Sequence, residues 1–324
     1  MKVIDLHISP AYISRREAFC EKHGLIFNGH AWLDIYPESK IHPCIITNNN
    51  DEIIGCFVYY SFTKTSFKFI ITPPYAPHID LFYINPAESI VGKNTFDKDL
   101  SQVLSTFFKS LKYDYLNINL PLNIVDTQAF IWQKFTSRQR FTYLIDLRLS
   151  EEQLWQNLSS EKRKSIKKAE KDGLTIEESN DKKRIYDLVL KSLTRNEKAK
   201  NADIIEKLLR DFANEQNSMA FISKSNGQDL AAAFCIKYGD KVMYLFGGFD
   251  EQNKHHGAHV SCMWHCILTA KKLGLKYFDF EGSMNQSIER YFREFGGEIK
   301  SYACIEEVKP AVAMLYKLKG GLPI

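Results

Sequence analysis

From Val242 to Gly297 the spacing of apolar positions changes period several times, and each change predicts an element. Val242 to Phe246 is a continuous apolar run of strand length that stops at Gly247 and Gly248, where no side chain prevents close approach of backbone. Val260, Met263, Trp264, Ile267 and Leu268 then recur at the spacing of one helix face, with Gly274 at a C-terminal cap position. Tyr277 to Phe280 predicts a short aromatic strand that sends Phe278 and Phe280 to one side and Asp279 and Glu281 to the other. Ser283 and Gln286 stand in the spacing of a capping box. Ile288, Tyr291, Phe292 and Phe295 supply the stripe of a second helix that ends at Gly296 and Gly297. The segment reads as strand–helix–strand–helix with polar residues at its bends, and chemistry is expected at those bends.

The same order of elements recurs in the first half. Pro43 to Thr47 and Ile53 to Phe62 flank the turn-rich Asn48 to Asp51 as a hairpin, and Phe67 to Ile71 supplies a further strand. A helix faced by Leu100, Val103, Leu104, Phe107, Phe108 and Leu111 follows, then a strand over Tyr113 to Asn119, a short helix over Ile124 to Phe135 and a strand over Phe141 to Leu147. In the second half Met219 to Ser223 and Leu230 to Lys237 flank Asn226 and Gly227, and the order repeats through Ile305. The offset is about 160 residues, near one domain length. Two consecutive α/β domains of like topology are predicted, each of mixed sheet flanked by helices, with a boundary near Leu149: residues 1–149, then 150–309. A basic helix near Arg163 and a helical stretch from Lys182 to Gln216 are additions to the second. A final helix over 310–324, with Val312, Leu315, Tyr316 and Leu318 apolar, is expected to cross back onto the first domain.

Composition narrows the class. At 324 residues, 44% hydrophobic and 25% charged, the chain has the make-up of ordinary globular domains with full cores. A net charge of +4 is mild, so local clusters of charge matter more than the total. The seven cysteines are scattered without a paired framework, which fits a reducing compartment. The opening MKVIDLHISPAYISRRE lacks an apolar h-region, and no stretch approaches the roughly 18 apolar residues of a membrane span. A cytoplasmic location is expected.

Several of these pieces carry a resemblance. YLFGG, GAHVSCMWHCILTAKKLG, FDFEGS and YFREFGG, together with the upstream helix LSSEKRKSIKKAEKDG, resemble the second half of FemAB-like acyltransferases of the GNAT superfamily. The resemblance implies two tandem GNAT-like domains and a gap between two splayed central strands that receives the acyl donor. It also implies transfer of an acyl or aminoacyl group to an amine, with a cell-envelope (peptidoglycan) precursor as the leading acceptor. No permanently bound cofactor is implied; the donor is an aminoacyl-tRNA or an acyl-coenzyme A. Many GNAT proteins hold the pyrophosphate of coenzyme A on a turn of the form Gln or Arg, two residues, Gly, one residue, Gly or Ala, at a helix start. Here that turn aligns with Asn253 to Ala258, so Gly257 and Ala258 are the candidate contacts and the departure at the other positions favours a donor other than coenzyme A.

For the chemistry, attack by an amine needs the amine deprotonated and the oxyanion stabilised. Glu281 is the first candidate base, Asp279 its neighbour, and Tyr244 a donor to an oxyanion or leaving group. Gly247, Gly248 and Ser283 border the expected gap, and Arg293 is placed either to bind substrate or to close an internal ion pair. On the basic helix, Arg163, with Lys164 and Lys167, is the candidate phosphate contact for a tRNA acceptor end or a nucleotide- or lipid-linked pyrophosphate, because a guanidinium binds phosphate bidentately. A solvated helix face is the plain alternative. His255, His256, His259, Cys262 and Cys266 lie close in sequence, but their spacing is not that of a zinc site, and buried thiols in a helix core are expected. The proline-rich Ile70 to Pro77 loop and the rest of the first domain are read as shaping the acceptor side. Two further readings stand beside the first: an acyl-coenzyme A-dependent N-acetyltransferase of a small amine or amino sugar, and a catalytically silent module that binds tRNA or an envelope precursor. Neither oligomeric state nor acceptor identity follows from the sequence.

Overall fold

In both halves of the chain the apolar alternation becomes an antiparallel meander that ends in one parallel pairing. The structure is a computed structural model and describes residues 1–194 and 201–318. Of the helical stretch expected over Lys182–Gln216, residues 195–200 lie outside the described residues. So do 319–324 of the expected final helix and the side chains of Tyr316 and Leu318. Two compact units form, one of Met1–Arg140 with the chain from Ser301 onward, the other of Phe141–Lys300.

The first unit begins with β1 (Lys2–Asp5), α1 (Ile13–Lys22), α2 (His30–Leu33), β2 (Ile41–Thr47), β3 (Ile53–Lys64), β4 (Phe67–Ile71), β5 (Phe82–Tyr83), α3 (Ile90–Ser110), β6 (Tyr115–Asn119) and α4 (Gln128–Trp132). β1 to β4 pair antiparallel in chain order, β5 adds to β3, and β4 pairs parallel with β6. Asn48 makes the β2–β3 turn, its Oδ1 accepting from the amides of Asn50 and Glu52. Ser89 caps α3 by accepting from the Gly92 amide, which sets Leu100, Leu104 and Phe108 against Phe57, Leu116 and Ile118 in the core.

The second unit takes up β7 (Thr136–Asp146) from Phe141 onward. It continues with α5 (Glu151–Asn157), α6 (Ser160–Lys171), β8 (Thr175–Glu178), α7 (Lys182–Thr194), α8 (Ala202–Lys207), β9 (Ser218–Ser225), β10 (Gln228–Tyr238), β11 (Lys241–Phe249), α9 (Ala258–Lys272), β12 (Tyr277–Asp279) and α10 (Gln286–Arg293). β8 to β11 form the antiparallel meander and β11 pairs parallel with β12. α9 is apolar nearly all round, and Val260, Cys262, Met263, Trp264, Cys266, Ile267 and Ala270 are buried. Such a helix is stable only when covered on both faces, here by the sheet and by α6. Each fully buried side chain of this size contributes about 1.5–3 kcal/mol.

The boundary differs from the one at Leu149, for a reason of pairing. β7 does not close the first unit: its residues Leu144–Asp146 pair antiparallel with β12. The first unit receives β13 (Glu298–Val308) instead, whose Cys304–Val308 pair antiparallel with β6. After β13, α11 (Pro310–Leu318) brings Val312 against Phe69 and Tyr115 in the first unit's core. Each unit's last strand therefore comes from the chain segment that the sequence order assigns to the other.

Two local expectations are corrected. The strand over Tyr277 to Phe280 ends at Asp279, because Glu281 takes φ 59° and Gly282 φ 72° and the chain turns away. The helix after it is capped by Asn285, whose side chain accepts from the amides of Ser287 and Ile288, and not by Ser283, which instead accepts from the Asn285 amide. Asn and Ser serve almost equally well as caps, so the box spacing alone misplaces this one by two residues.

Gly282 tests this packing. A Cβ there would meet the Phe141 carbonyl oxygen at 1.8 Å, in a backbone region that L-residues avoid. Gly282→Ala should lower the free energy of unfolding by about 3 kcal/mol or more, read from urea unfolding curves. A loss under about 1 kcal/mol would mean that the turn relaxes freely and does not fix the end of β12.

Candidate active site

β11 and β12 hydrogen-bond over only three residue pairs, Lys241 with Tyr277 through Met243 with Asp279. β12 then ends, while β11 runs on to Phe249 beside β10. The gap opened beyond Met243 is roofed by the start of α9 and by α10, and it holds a cavity of about 500 Å³. Its wall is mostly apolar, with Leu230, Phe246, Phe249, Val260, Ile288 and Phe292. Lys254, His255 and His256 stand at the turn before α9. This volume and mixture suit an organic ligand with one polar end.

Three polar side chains cross the cavity wall as a chain. His259 Nδ1 lies 2.7 Å from the Tyr291 hydroxyl, and its Nε2 lies 3.3 Å from the Tyr244 hydroxyl. Burial, and secondarily the charge of Lys162, pull the His259 imidazolium down to about 4, so the ring is neutral at physiological pH and has one donor and one acceptor nitrogen. Burial pushes the Tyr244 and Tyr291 phenols well up, so both keep their protons. The glycines of β11 are explained by this chain and by α7. A Cβ on Gly247 would come within 2.5 Å of His259 Nε2 and 2.6 Å of the Tyr244 hydroxyl, and one on Gly248 within 2.1 Å of the Leu188 carbonyl oxygen.

Asp279 and Glu281 lie together where the two strands part, and neither lines the cavity. Asp279 is buried. Its Oδ1 accepts from Thr142 Oγ1 at 2.6 Å and from the Glu281 amide at 3.0 Å, and its Oδ2 is 3.7 Å from Lys241 Nζ. Glu281 Oε1 is buried with no hydrogen-bond partner, and burial, reinforced by the charge of Asp279, pushes its carboxyl well above the usual range.

The remaining candidates take other places. Gly257 is required by α6, since a Cβ would stand 2.3 Å from the Ser165 carbonyl oxygen, and its amide donates to His255 Nδ1 at 3.1 Å; Ala258 is buried behind it. The His255 Nε2 in turn faces Asp172 at 3.0 Å. Arg163 turns inward along its own segment, its Nη1 donating to the carbonyls of Gln156 and Leu158 at the end of α5. It thus satisfies a helix C-terminus. Lys164 and Lys167 are exposed, Lys167 passing 5.9 Å from the Trp155 ring. Arg293 pairs with Glu289 at 2.8 Å, and Glu289 also accepts from the Tyr143 hydroxyl at 2.5 Å. Ser283 lies outside the cavity lining.

Sequence reasoning passed over two residues. In sequence, His259 stands out only as one of a group of His and Cys residues, and Lys162 is one basic residue among several on its helix. Yet Lys162, Ile166 and Ala169 fall at i, i+4 and i+7, the buried face of α6, and all three are buried. Cys262 and Cys266 are buried thiols raised by their burial. Among the described residues no group of three or more His, Cys, Asp or Glu is placed to hold a metal ion. In the first unit Ser61, His42 and Asp5 connect in the order of a hydrolytic triad, at 2.8 and 3.3 Å. Ser61, however, sits inside β3 in register with Ile70 of β4, one residue past the last pairing with β2, and not on a turn that would gather backbone amides into an oxyanion hole.

Among the described residues no helix is long and apolar enough to cross a membrane. Residues 157–293, which include α6, β11, α9, β12 and α10, match the model of an acetyltransferase (GNAT) domain. No curated protein sequence matches the chain significantly. Among solved structures the chain is similar to FemX, at 11% identity, 94% of this chain and 97% of that one covered, and a TM-score of 0.65. It is similar to L-PGS from Bacillus licheniformis, at 10% identity, 93% and 94% coverage and a TM-score of 0.54. It is also similar to a GNAT-family acetyltransferase from Colwellia psychrerythraea, at 10% identity, 95% and 100% coverage and a TM-score of 0.52. At these identities the likeness is one of fold. Residues 157–293 therefore carry a GNAT domain, built around the splayed strands, and the chain as a whole shares its fold with FemX.

Proposed function

We propose that the protein transfers an acyl or aminoacyl group to an amine, with the donor's carbonyl held in the β11–β12 gap. The observation that carries this reading is the cavity itself: an apolar slot at the parting of two parallel strands, with the hydroxyl of Tyr244 on its wall. Beyond Met243 the edge of β11 has no β12 to pair with, and its backbone amides are the natural donors to a carbonyl oxygen that becomes an oxyanion. Tyr244, protonated and backed by neutral His259, donates to the leaving sulfur or oxygen. Glu281, its carboxyl raised, is the proposed base for the attacking ammonium; because it stands at the parting of the strands and not on the cavity wall, the acceptor amine is taken to approach from that side, with Asp279 fixing the Glu281 backbone through its amide.

Two donors remain in play, and a different observation favours each. The internal use of the Gly257 amide by His255 removes one of the phosphate-binding donors of the coenzyme A turn, which favours an aminoacyl ester carried by tRNA. The GNAT domain favours an acyl-coenzyme A. Lys254 and His256, at the cavity, are the proposed anion contacts for either; Lys164 and Lys167 extend a basic surface along α6. The acceptor proposed from the FemAB-like resemblance is an amine of a cell-envelope precursor in the cytoplasm. Binding of acetyl-coenzyme A and of charged and uncharged tRNA, each at two salt concentrations, separates the cases. Saturable, salt-resistant binding of charged tRNA alone supports the aminoacyl reading. Coenzyme A binding lost in Lys254→Glu supports the other, and binding of neither leaves only the silent module.

In the transfer assay Tyr244→Phe should lower kcat at least about tenfold while leaving the donor KM within about twofold, because it removes a proton donor and little volume. Unchanged turnover would remove Tyr244 from the mechanism. Glu281 makes a separate prediction about stability. Its ordinary value is 4.5 and its folded value lies well above, so between the two the folded chain holds a proton that the unfolded chain has released. The stability linked to this carboxyl is present below about pH 4.5 and is lost as pH rises toward the folded value. Glu281→Gln cannot ionise and should lose less stability than the parent between pH 5 and pH 8, compared by urea midpoints; parallel losses would contradict the buried, unpartnered carboxyl.

A further inference from the structure

Lys162 is 5% exposed, an unusual state for a lysine, and neither the proposed reaction nor the basic surface of α6 uses it. Its ammonium lies 3.5 Å from the centroid of the Tyr291 ring, 4.9 Å from that of Phe295, and 3.5 Å from Glu294 Oε2. Glu294 is shared with Arg290, which approaches it at 3.1 Å. The position is built by sequence on both sides. Lys162 occupies the buried face of α6 with Ile166 and Ala169, and Tyr291 and Glu294 are one turn apart on the last part of α10 and its cap.

We propose that Lys162 is a positioning residue that sets the direction of the Tyr291–His259–Tyr244 hydrogen-bond chain, so that Tyr244 presents its proton to the cavity. A cation on the face of a phenol draws electron density from the ring and its oxygen, which makes the hydroxyl a better donor and a poorer acceptor. Tyr291 then donates to His259 Nδ1, in keeping with the shorter of the two contacts, 2.7 Å against 3.3 Å. A neutral imidazole that accepts at Nδ1 must carry its proton on Nε2, and that N–H donates to the Tyr244 oxygen. The Tyr244 proton is left facing the cavity. Gly247 completes the device, because any side chain there would occupy the space between Nε2 and the Tyr244 hydroxyl. In the reverse direction Tyr244 would donate into the protein and have no proton for a leaving group.

The charged and titratable groups around the chain come from four elements: Lys162 on α6 acts on His259; Glu161 on α6 and Arg290 and Glu294 on and after α10 act on Lys162; and Tyr244 on β11, Cys262 and Cys266 on α9 and Glu294 act on Tyr291. Lys162 is the cation nearest the chain, and Glu294 offsets part of its field. Replacement by methionine keeps an unbranched side chain, one atom shorter, and removes the ammonium with its charge and donors.

The inference rests on the acyl-transfer reading for its purpose but not for its test. In the full chain with ¹⁵N-labelled histidine, the imidazole nitrogen shifts of His259, assigned by loss in His259→Asn, report tautomer and titration directly. The parent should show the Nε2–H tautomer alone. Lys162→Met should raise the His259 titration by about one unit and populate the Nδ1–H form, and Lys162→Arg should restore the parental spectrum. A Lys162→Met protein with unchanged melting temperature, a single Nε2–H tautomer and an unmoved titration overturns the proposal. In the transfer assay the same variant should lose about tenfold in kcat with the donor KM unchanged. Should the parent transfer nothing, the acyl-transfer reading fails while the nitrogen shifts still decide the role of Lys162.

Discussion

The site depends on one inequality of length: β11 continues for six residues past its last pairing with β12, from Met243 to Phe249. Two parallel strands that part leave a backbone edge without a ladder, and buried peptide groups without partners are costly. The chain meets that cost by ending β12 abruptly, with Glu281 and Gly282 both at positive φ, and by roofing the gap with α9 and α10. A mostly apolar cavity crossed by the Tyr291–His259–Tyr244 chain is the result. Strain, cavity and the unpartnered Glu281 oxygen all lie within this short stretch, as expected where function and stability compete.

Much of this was legible because it follows from local rules. The period of α9, the two glycines after the YLF run and the carboxylates at the end of the aromatic strand are all visible in the letters, and each stands at the gap or at its apex. What could not be read is the reason for each. Gly247 and Gly248 look like a single loosening of the strand, yet one makes room for His259 and Tyr244 and the other for the backbone of α7. Gly257 lies in the segment aligned with a phosphate turn and proved to be a contact between two helices. In each case the partner lies far away in sequence, and a small residue announces a close approach without naming what approaches.

Charge was harder to read than size. Six of the twelve residues of α6 are acidic or basic beyond Lys162 and Arg163, so a run of like letters hid two with unlike fates: Lys162 folded inward under α10, and Arg163 bent back to the end of α5. The helical spacing with Ile166 would have singled out Lys162, whereas nothing local distinguishes Arg163 from Lys164. The strand exchange was equally hidden, since β7 and β13 are of equal length and both are exposed over their first residues and buried later, so nothing local tells which sheet each joins.

That exchange bears on whether the chain can be divided. A tandem duplication normally leaves two copies that a single break can separate, each with its own complete sheet. Here β6 takes its neighbour from β13 and β12 takes its neighbour from β7. A break between the halves would leave two bare strand edges, which natural proteins avoid because such edges recruit other chains. Because each half of the sequence carries the strand that completes the other's sheet, neither half has a complete sheet of its own.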